Sequence, residues 1–515
     1  MEATTTTAGV RPAHRMFCPP AGRRFVLISA ILASSMGFID GSVVALAMPA
    51  IRADLGASLV DAQWISNAYM LLLSSLVLIG GAAGDVYGVR NIFIAGIALF
   101  MATSFACALA PDSGWLITMR AAQGVGAALM VPGSLSIIAK AYPPETRGRA
   151  IGTWAAFSSL TTAAGPFLSG MVLSFGAPWM WRLIFAINVP IGLVALAMLF
   201  LRVPADRPAG RRPLDAVGAV LATASLGLLA WGLTAFGLSP DSRLASPWLW
   251  LVAALAAGGL FIAWERRAVA PMVKLELFAS KAFSGANLYT LVLFFGFGAV
   301  LFFLPMTLVS AWGVVEWQAS LVLLPLSLFI AGLSSAAGRL ADRFGPRLPL
   351  TLGAGLVAAS FAGLAVTMEL MMLWTVTLPV FTVMALGMAI LVSPLSTAVM
   401  LAAPDEDAGL ASGINNAVAR VAGLMAVAAL GAVAGIVFAA GLPDGADVAF
   451  GARPAADLPA DIEAMRVVAS NNAFRWVAGI SAAMCFAGAC LAWFTQPHWT
   501  TGPQRSADRA TNRLE

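Results

Sequence analysis

One carboxylate, Asp40, stands inside the first long apolar run of the chain, Phe25 to Ile51, with no other charge between Arg24 and Arg52. An ionised Asp near a bilayer centre costs about 2.5–3.5 kcal/mol on insertion scales, so such a residue is retained for a purpose. Two purposes suit a lone carboxylate: carrying a proton and meeting a cation. The plainer alternative is a structural hydrogen bond to a neighbouring helix. Burial favours the protonated carboxyl and a nearby cation the ionised one, so a carboxylate that is to switch needs both. Arg120 is a second embedded charge, about 8 Å from the outer end of its run, and Asp40 lies about 16 Å from the outer end of its own. Both fall in the same half of the membrane, so Arg120 either tunes Asp40 or donates to backbone carbonyls as a static lock. Asn416 and Arg420 share a helix face at i, i+4. Arg420 could meet an anionic or polar group of a cargo or brace the second half of the chain, and bracing is the simpler expectation.

Other chemistries are excluded. The only histidines, His14 and His498, lie near the two ends of the chain, which rules out a zinc-protease motif and an embedded His relay. Cys18, Cys107, Cys485 and Cys490 form no CxxC pair, and within apolar runs Cys behaves as a small hydrophobe. Lys140, Lys274 and Lys281 follow Ala, Val and Ser, so no phosphate loop exists and ATP is not the direct energy source. Catalytic triads and paired carboxylates are missing, and no enzyme, metal or cofactor is expected.

These residues need a membrane around them. The chain is 60% hydrophobic and 11% charged over 515 residues, against about 25% charged in soluble domains. Runs of about 20 apolar residues suit a helix across a 30 Å core. They fall at 25–51, 62–83, 91–110, 115–139, 150–176, 183–201, 214–237, 247–264, 285–310, 319–337, 349–368, 374–402, 409–440 and 474–494. The expected fold is an all-α integral membrane protein of fourteen transmembrane helices. Of the thirty Lys and Arg, only Arg52, Arg182, Arg243, Arg453, Arg466 and Arg475 fall on one side, and Arg120 and Arg420 are embedded. The rest share the side of both termini, which the positive-inside rule assigns to the cytoplasm. A cell (inner) membrane location follows, with residues 1–24 and 495–515 as cytoplasmic tails, the first of them disordered. The outer loop 441–473 is expected to carry a short surface helix at 460–469.

The chain repeats itself. Gly81, Asp85, Gly88 and Arg90 follow the second run, and Gly338, Asp342, Gly345 and Arg347 follow the tenth, both as G-x-x-x-D-x-x-G-x-R. Two halves related by a parallel repeat are one transporter plan. The repeat starts the halves at runs one and nine and leaves runs seven and eight as an insertion. On these residues the chain resembles the major facilitator superfamily, and within it the fourteen-helix drug:proton antiporter family. The copy at 338–347, with Arg343, is a close match to the superfamily's loop signature; the copy at 81–90 has Ala83 and Val86 where Leu and Arg are usual. Arg120-Ala121-Ala122-Gln123-Gly124-Val125-Gly126 is similar to the family's R-x-x-q-G-x-g. Gly165-Pro166-Phe167-Leu168-Ser169-Gly170 is similar to the antiporter G-P-x-x-G-G, with Ser169 for one Gly. Trp181 to Pro190 resembles a hallmark of the fourteen-helix branch. The stretch at Asp40 resembles L-D-x-T-I-V-N-V-A-L-P, with Ser42 for Thr and Ala45 for Asn.

The resemblance implies a six-helix half at 25–201, a link with two inserted helices at 202–284 and a second six-helix half at 285–494. It implies multidrug efflux: export of lipophilic, cationic compounds in exchange for protons by alternating access, with Asp40 and Arg120 as the coupling residues. Asp85, Arg90, Asp342, Arg343 and Arg347, with Gly81, Gly88, Gly338 and Gly345, would form gating latches between the halves. Gly165, Pro166 and Gly170 would bend the fifth helix and block proton leak. Phe38, Trp64, Tyr69, Met130, Asn416 and Arg420 are candidates for the cavity wall. Expected partners are the lipid bilayer, protons and a small lipophilic substrate, with no nucleic acid. The protein is expected to be a monomer, and a periplasmic adaptor is left open. Alternatives are a proton-coupled symporter or facilitator for a metabolite, an exporter of an endogenous product, and a multispan membrane enzyme.

Overall fold

The computed structural model describes residues 18–175, 177–206, 213–238, 246–443, 446, 448–453 and 458–497. Among the described residues there are helices and no strands: α1 (Pro20–Leu55), α2 (Leu59–Tyr87), α3 (Val89–Ala108), α4 (Ser113–Ala141), α5 (Pro144–Leu173), α6 (Trp181–Ala186), α7 (Asn188–Arg202), α8 (Ala216–Ala235), α9 (Pro247–Glu265), α10 (Lys281–Ser310), α11 (Glu316–Phe344), α12 (Arg347–Thr367), α13 (Leu378–Leu401), α14 (Ala408–Ala440) and α15 (Ala460–Thr495). Thirteen segments are long and apolar enough to cross a membrane, with α6 and α7 joined as one of them. The fourteenth expected span is α5, a helix of 30 residues whose described part Ala164–Leu173 is apolar. Its first turns carry Glu145, Arg147 and Arg149, and it packs against α1 and α11.

Local signals set the helix ends. Ser58 and Asp61 form a reciprocal capping box at the start of α2, which satisfies two otherwise orphaned amide donors. Asp112 caps α4 by accepting from the Trp115 amide at 2.8 Å. Gly56 closes α1 in the left-handed region at φ 61°, where a side chain would be strained.

The helices pack in two groups. α1 lies against α5 and α7, and α4 lies against α2 and α3. In the second group α15 packs on α10 and α12, α13 on α11 and α12, and α14 on α10. α8 and α9 pair with each other, and α8 leans on both α2 and α14. We propose the corresponding division of the chain: two six-helix halves with an inserted pair between them. The start of α1 meets the end of α7, where Gly22 faces the Arg202 carbonyl, and the start of α10 meets the end of α15, where Gly285 faces Thr495. Both ends of the described chain therefore sit on one face, called here the terminal face.

At the opposite face the halves are sealed. One apolar core joins Val43 to Ile51 of α1, Ile65, Leu116 and Trp181 to Phe303, Leu430 and Phe438 of the second half. Phe450, from the connection before α15, enters this core beside Phe303 and Phe438, and its carbonyl accepts from Arg52. Trp181 Nε1 donates to Asp54 at 2.9 Å and Arg182 pairs with the same carboxylate. The Trp181–Arg182 pair thus ties the end of α1 to α6. Arg453 pairs with Glu316 at the start of α11.

Three expectations are corrected. Residues 20–24, assigned to a disordered tail, are the first turns of α1, because Pro20 sits at an N-terminal position where its missing amide is harmless. The short helix at 460–469 is the start of the 36-residue α15, since no Gly or Pro separates it from the apolar run. Accordingly the expected outer loop ends before Ala460 and not at 473. His14, His498, Arg243, Asp444, Asp447, Asp457, most of the link 207–212 and the tails 1–17 and 498–515 lie outside the described residues.

The two Gly of the α4 motif set the spacing of the first half. A Cβ on Gly124 would lie 2.5 Å from the Tyr69 carbonyl oxygen of α2, and one on Gly126 would lie 2.6 Å from the Phe100 nitrogen of α3. Small residues allow such close backbone approach between membrane helices. Gly126→Leu should therefore lower stability by about 1–3 kcal/mol, the usual range for overpacking, read as a lower melting temperature of the purified protein. Gly355→Ala on α12, where a Cβ meets nothing within 4 Å, should leave it unchanged.

Candidate functional site

Asp40 falls near the middle of α1, and its side chain is fully buried. Arg120, seven residues into α4, reaches it: Nη1 donates to Asp40 Oδ2 at 2.5 Å. The same arginine donates through Nε to the Ile65 carbonyl of α2 at 3.1 Å and through Nη1 to Gln123 Oε1 at 2.7 Å. Gln123 Nε2 donates in turn to Asp40 Oδ1 at 3.1 Å. Both carboxylate oxygens are thus occupied, and three helices are pinned through one guanidinium. The Tyr69 ring lies 4.3 Å from Arg120 Cζ on one side and Phe185 of α6 lies 5.6 Å away. Aromatic faces stabilise a cation that has left water.

The two readings offered for Arg120 are therefore not exclusive: it meets both Asp40 and a backbone carbonyl. Gln123 carries no charge to mark it in the sequence, although its i, i+3 spacing from Arg120 puts it on the same helix face.

Arrangements of this kind can store or release a charge. Removing one partner of a buried ion pair leaves an uncompensated charge and costs about 3–5 kcal/mol. A proton on Asp40 would neutralise the carboxylate, leave Arg120 as the stranded charge, and weaken the tie between α1 and α4.

The Gly165-Pro166 region of α5 sits at the other seam between the halves. Ser169 Oγ donates to the Gly165 carbonyl at 2.8 Å, one turn back, beside the proline that lacks a donor. A Cβ on Gly170 would lie 2.8 Å from the Glu316 carbonyl oxygen and 2.9 Å from Trp317 Cα, so α5 and α11 approach at backbone distance there.

The repeated loops lie at the terminal face, with contacts inside their own halves. Asp85 faces Lys140 at 3.6 Å. Gly88 turns at φ 94°, and Asp206 accepts from the Val89 and Arg90 amides at 2.8 and 3.0 Å while facing Lys140 at 3.7 Å. Arg90 Nη2 donates to the Leu199 carbonyl at 3.0 Å. In the second copy Gly345 turns at φ 79°, Arg343 covers Phe344, and Arg347 covers Trp493 and donates to its carbonyl. Asp342 is exposed, and a Cβ on Gly338 would lie 3.2 Å from Ser393 Oγ; Gly81 has more room, with Pro132 at 3.8 Å from such an atom. Lys140 and Asp206 were not singled out from the sequence, because a charge near a helix end reads as solvated.

Trp64 lies 5.6 Å from Trp231 of α8, tilted against it, beside the cluster of Leu71, Leu226 and Leu424 that joins α2, α8 and α14. One cavity candidate is corrected. Met130 is fully buried in the core of the first half, held there by the close approach of α3 and α4. Tyr69 is covered by Arg120. Phe38 is 39% exposed, Asn416 is exposed and donates to the Ser412 carbonyl at 3.0 Å, and Arg420 is half-buried.

Comparison with known proteins gives this geometry its context. The Major Facilitator Superfamily profile matches residues 30–427. The tetracenomycin C resistance and export protein of Streptomyces glaucescens is 33% identical over 410 residues, covering 79% of this chain and 74% of that protein. The methylenomycin A resistance protein of Bacillus subtilis is 32% identical over 412 residues, covering 79% and 86%. The multidrug resistance protein Stp of Mycobacterium tuberculosis is 30% identical over 409 residues, covering 79% and 74%. Among solved structures, a bacterial homologue of the human lysosomal transporter Spinster superposes with a TM-score of 0.68 at 17% identity, covering 94% of this chain and 100% of that one. A D-xylose–proton symporter gives 0.62 at 16% identity, covering 92% and 98%. These likenesses in structure show the fold alone.

The charge network makes a prediction about coupling. Arg120→Gln and Asp40→Asn should each lower unfolding stability, by about 3–5 kcal/mol for a broken buried pair. The double variant should be less destabilised than their sum, because neither charge is then stranded. Additive losses in a double-mutant cycle on the purified protein would contradict the pairing.

Proposed function

We propose that this chain, which belongs to the Major Facilitator Superfamily and is a multi-pass membrane transporter rather than an enzyme, exports small lipophilic compounds in exchange for protons. The observation that carries the reading is the fully buried Asp40 carboxylate, held by Arg120 and Gln123 at the junction of α1, α2 and α4. The names of the relatives, which speak of resistance and export, support the direction of transport.

The mechanism is alternating access around the seams between the halves, where transporter folds built on repeats place their sites. The arrangement described, sealed at the face opposite the termini, is the state that admits cargo from the terminal face. In it Asp40 is ionised and bound to Arg120. After the halves rock, a proton from outside neutralises Asp40, Arg120 is released, and cargo leaves. Return to the first state expels the proton inward as the ion pair re-forms. One carboxylate cannot hold a proton and an ion pair together, and this exclusion couples the two fluxes. The loops at 81–90 and 338–347 act as latches that engage across the halves when the terminal face closes. Gly170 keeps α5 and α11 packed against leak.

In this reading the protein works as a monomer in the cell membrane with both termini in the cytoplasm, and the distribution of Lys and Arg supports that orientation. A cationic cargo was expected from a free Asp40 charge. With both oxygens of Asp40 engaged, that argument loses its footing, and the charge of the cargo turns on Arg420.

Efflux from loaded cells tests the reading. Wild type should extrude a lipophilic dye against its gradient and stop when a protonophore is added. Asp40→Asn should lose the uphill flux while retaining downhill flux. Protonophore-insensitive uphill efflux by the wild type would contradict it.

A further inference from the structure

Arg420 lies about 18 Å along α14 from its start at the terminal face. An arginine at that depth costs about 2.5–3.5 kcal/mol on insertion scales unless it is compensated. Among the described residues, the other deeply embedded charges have partners: Asp40 has Arg120, and Arg120 has Asp40. Arg420 makes no hydrogen bond and no ion pair among the described residues.

Its direction follows from its helix. Gly413 lies against Leu78 of α2, Leu424 clusters with Leu71, and the Val427 and Ala428 carbonyls accept from Gln63 at 2.6 and 3.3 Å. Positions 413, 420, 424, 427 and 431 form one stripe at helical spacing, so Arg420 belongs to the face of α14 turned toward α2. There its charge acts on Tyr69, whose ring covers Arg120 on its other side.

Bracing does not account for it. α14 is tied to α10 by the neighbouring Asn415, which donates to Thr290 Oγ1 at 2.7 Å and to Asn287 Oδ1 at 3.2 Å. Nor is a carboxylate at hand. α2 between 62 and 84, and α8, α10, α13 and α14 throughout, contain no acidic residue, and both oxygens of Asp40 are engaged. Arg420 is therefore a half-buried positive charge on the α2-facing side of α14, with no hydrogen bond or ion pair among the described residues.

We propose that Arg420 is the cargo-recognition residue and that the cargo is a lipophilic organic anion, carrying a carboxylate or a comparable acidic oxygen that the guanidinium binds. Guanidinium matches carboxylate geometry with two parallel donors, which a lysine cannot supply. This inference rests on the export reading for its setting, yet binding can be measured without transport.

The test uses the full-length purified protein and three related fluorophores: dansylglycine as the anion, dansylglycinamide as the neutral form and dansylcadaverine as the cation. Wild type should bind dansylglycine most tightly. Arg420→Gln should weaken that binding about ten- to hundredfold, the range for a lost hydrogen bond to a charged group, with dansylglycinamide binding unchanged. Arg420→Lys should recover part of the loss. Unchanged melting temperatures show that both variants fold, and unchanged neutral binding provides a second control. Preference for dansylcadaverine, or equal dansylglycine binding by wild type and Arg420→Gln, would overturn the proposal. Arg420-dependent binding of the anion without proton-driven efflux would leave this proposal standing and overturn the export reading instead.

Discussion

The first half of this protein is organised by a charge pair that cannot be solvated. Asp40 and Arg120 are both withdrawn from water and lipid, so each requires the other. The remaining donors and acceptors must be met by Gln123 and the Ile65 carbonyl. Meeting them fixes the relative height of α1, α2 and α4 to within hydrogen-bond tolerance. Gly124 lets α4 come close enough to α2 for Arg120 to reach the Ile65 carbonyl. Without it the arginine would need water or lose a partner. A buried polar network of this kind is demanding when any member is missing and stiff when all are present.

That stiffness contrasts with the seams. The halves touch through a continuous apolar core at the face opposite the termini, and non-directional contacts of this kind separate without leaving a charge behind. The polar signature loops, by contrast, are satisfied within their own halves at the terminal face, through Lys140, Asp206 and Trp493. In the proposed mechanism each half moves as a unit, and the switchable element is the ion pair inside the first of them. There a proton at Asp40 would change the internal state of one half, and the rocking of the halves would decide which side that proton comes from.

Embedded charges made much of this legible in advance. Asp40, Arg120 and Arg420 stand out because charge in hydrocarbon is costly, and their helices follow from the length of each apolar run. The partners were harder to see. Gln123 carries no charge, and Asp206 lies in a link that reads as solvent-exposed. Phe450 comes from a loop with no periodicity, although it plugs the sealed face. Met130 illustrates the opposite error: a large adaptable side chain suits a cavity, but the rotation of α4 about its axis, set by close contacts at Gly124 and Gly126, turns it into packing. Asn415, one of two adjacent asparagines, holds α14 to α10, a role its sequence position does not mark. A sequence shows which residues are expensive to bury, and less readily which neighbours make the burial tolerable.

The central claim is that Asp40 holds either a proton or its arginine, never both. Infrared difference spectroscopy of the purified protein in lipid, recorded across a pH titration, reads this directly. The account predicts a protonated-carboxyl band that appears as pH falls, vanishes in Asp40→Asn, and rises in step with a change in the guanidinium bands that Arg120→Lys abolishes. An Asp40 that stays ionised throughout the pH range in which the protein exchanges protons would contradict it.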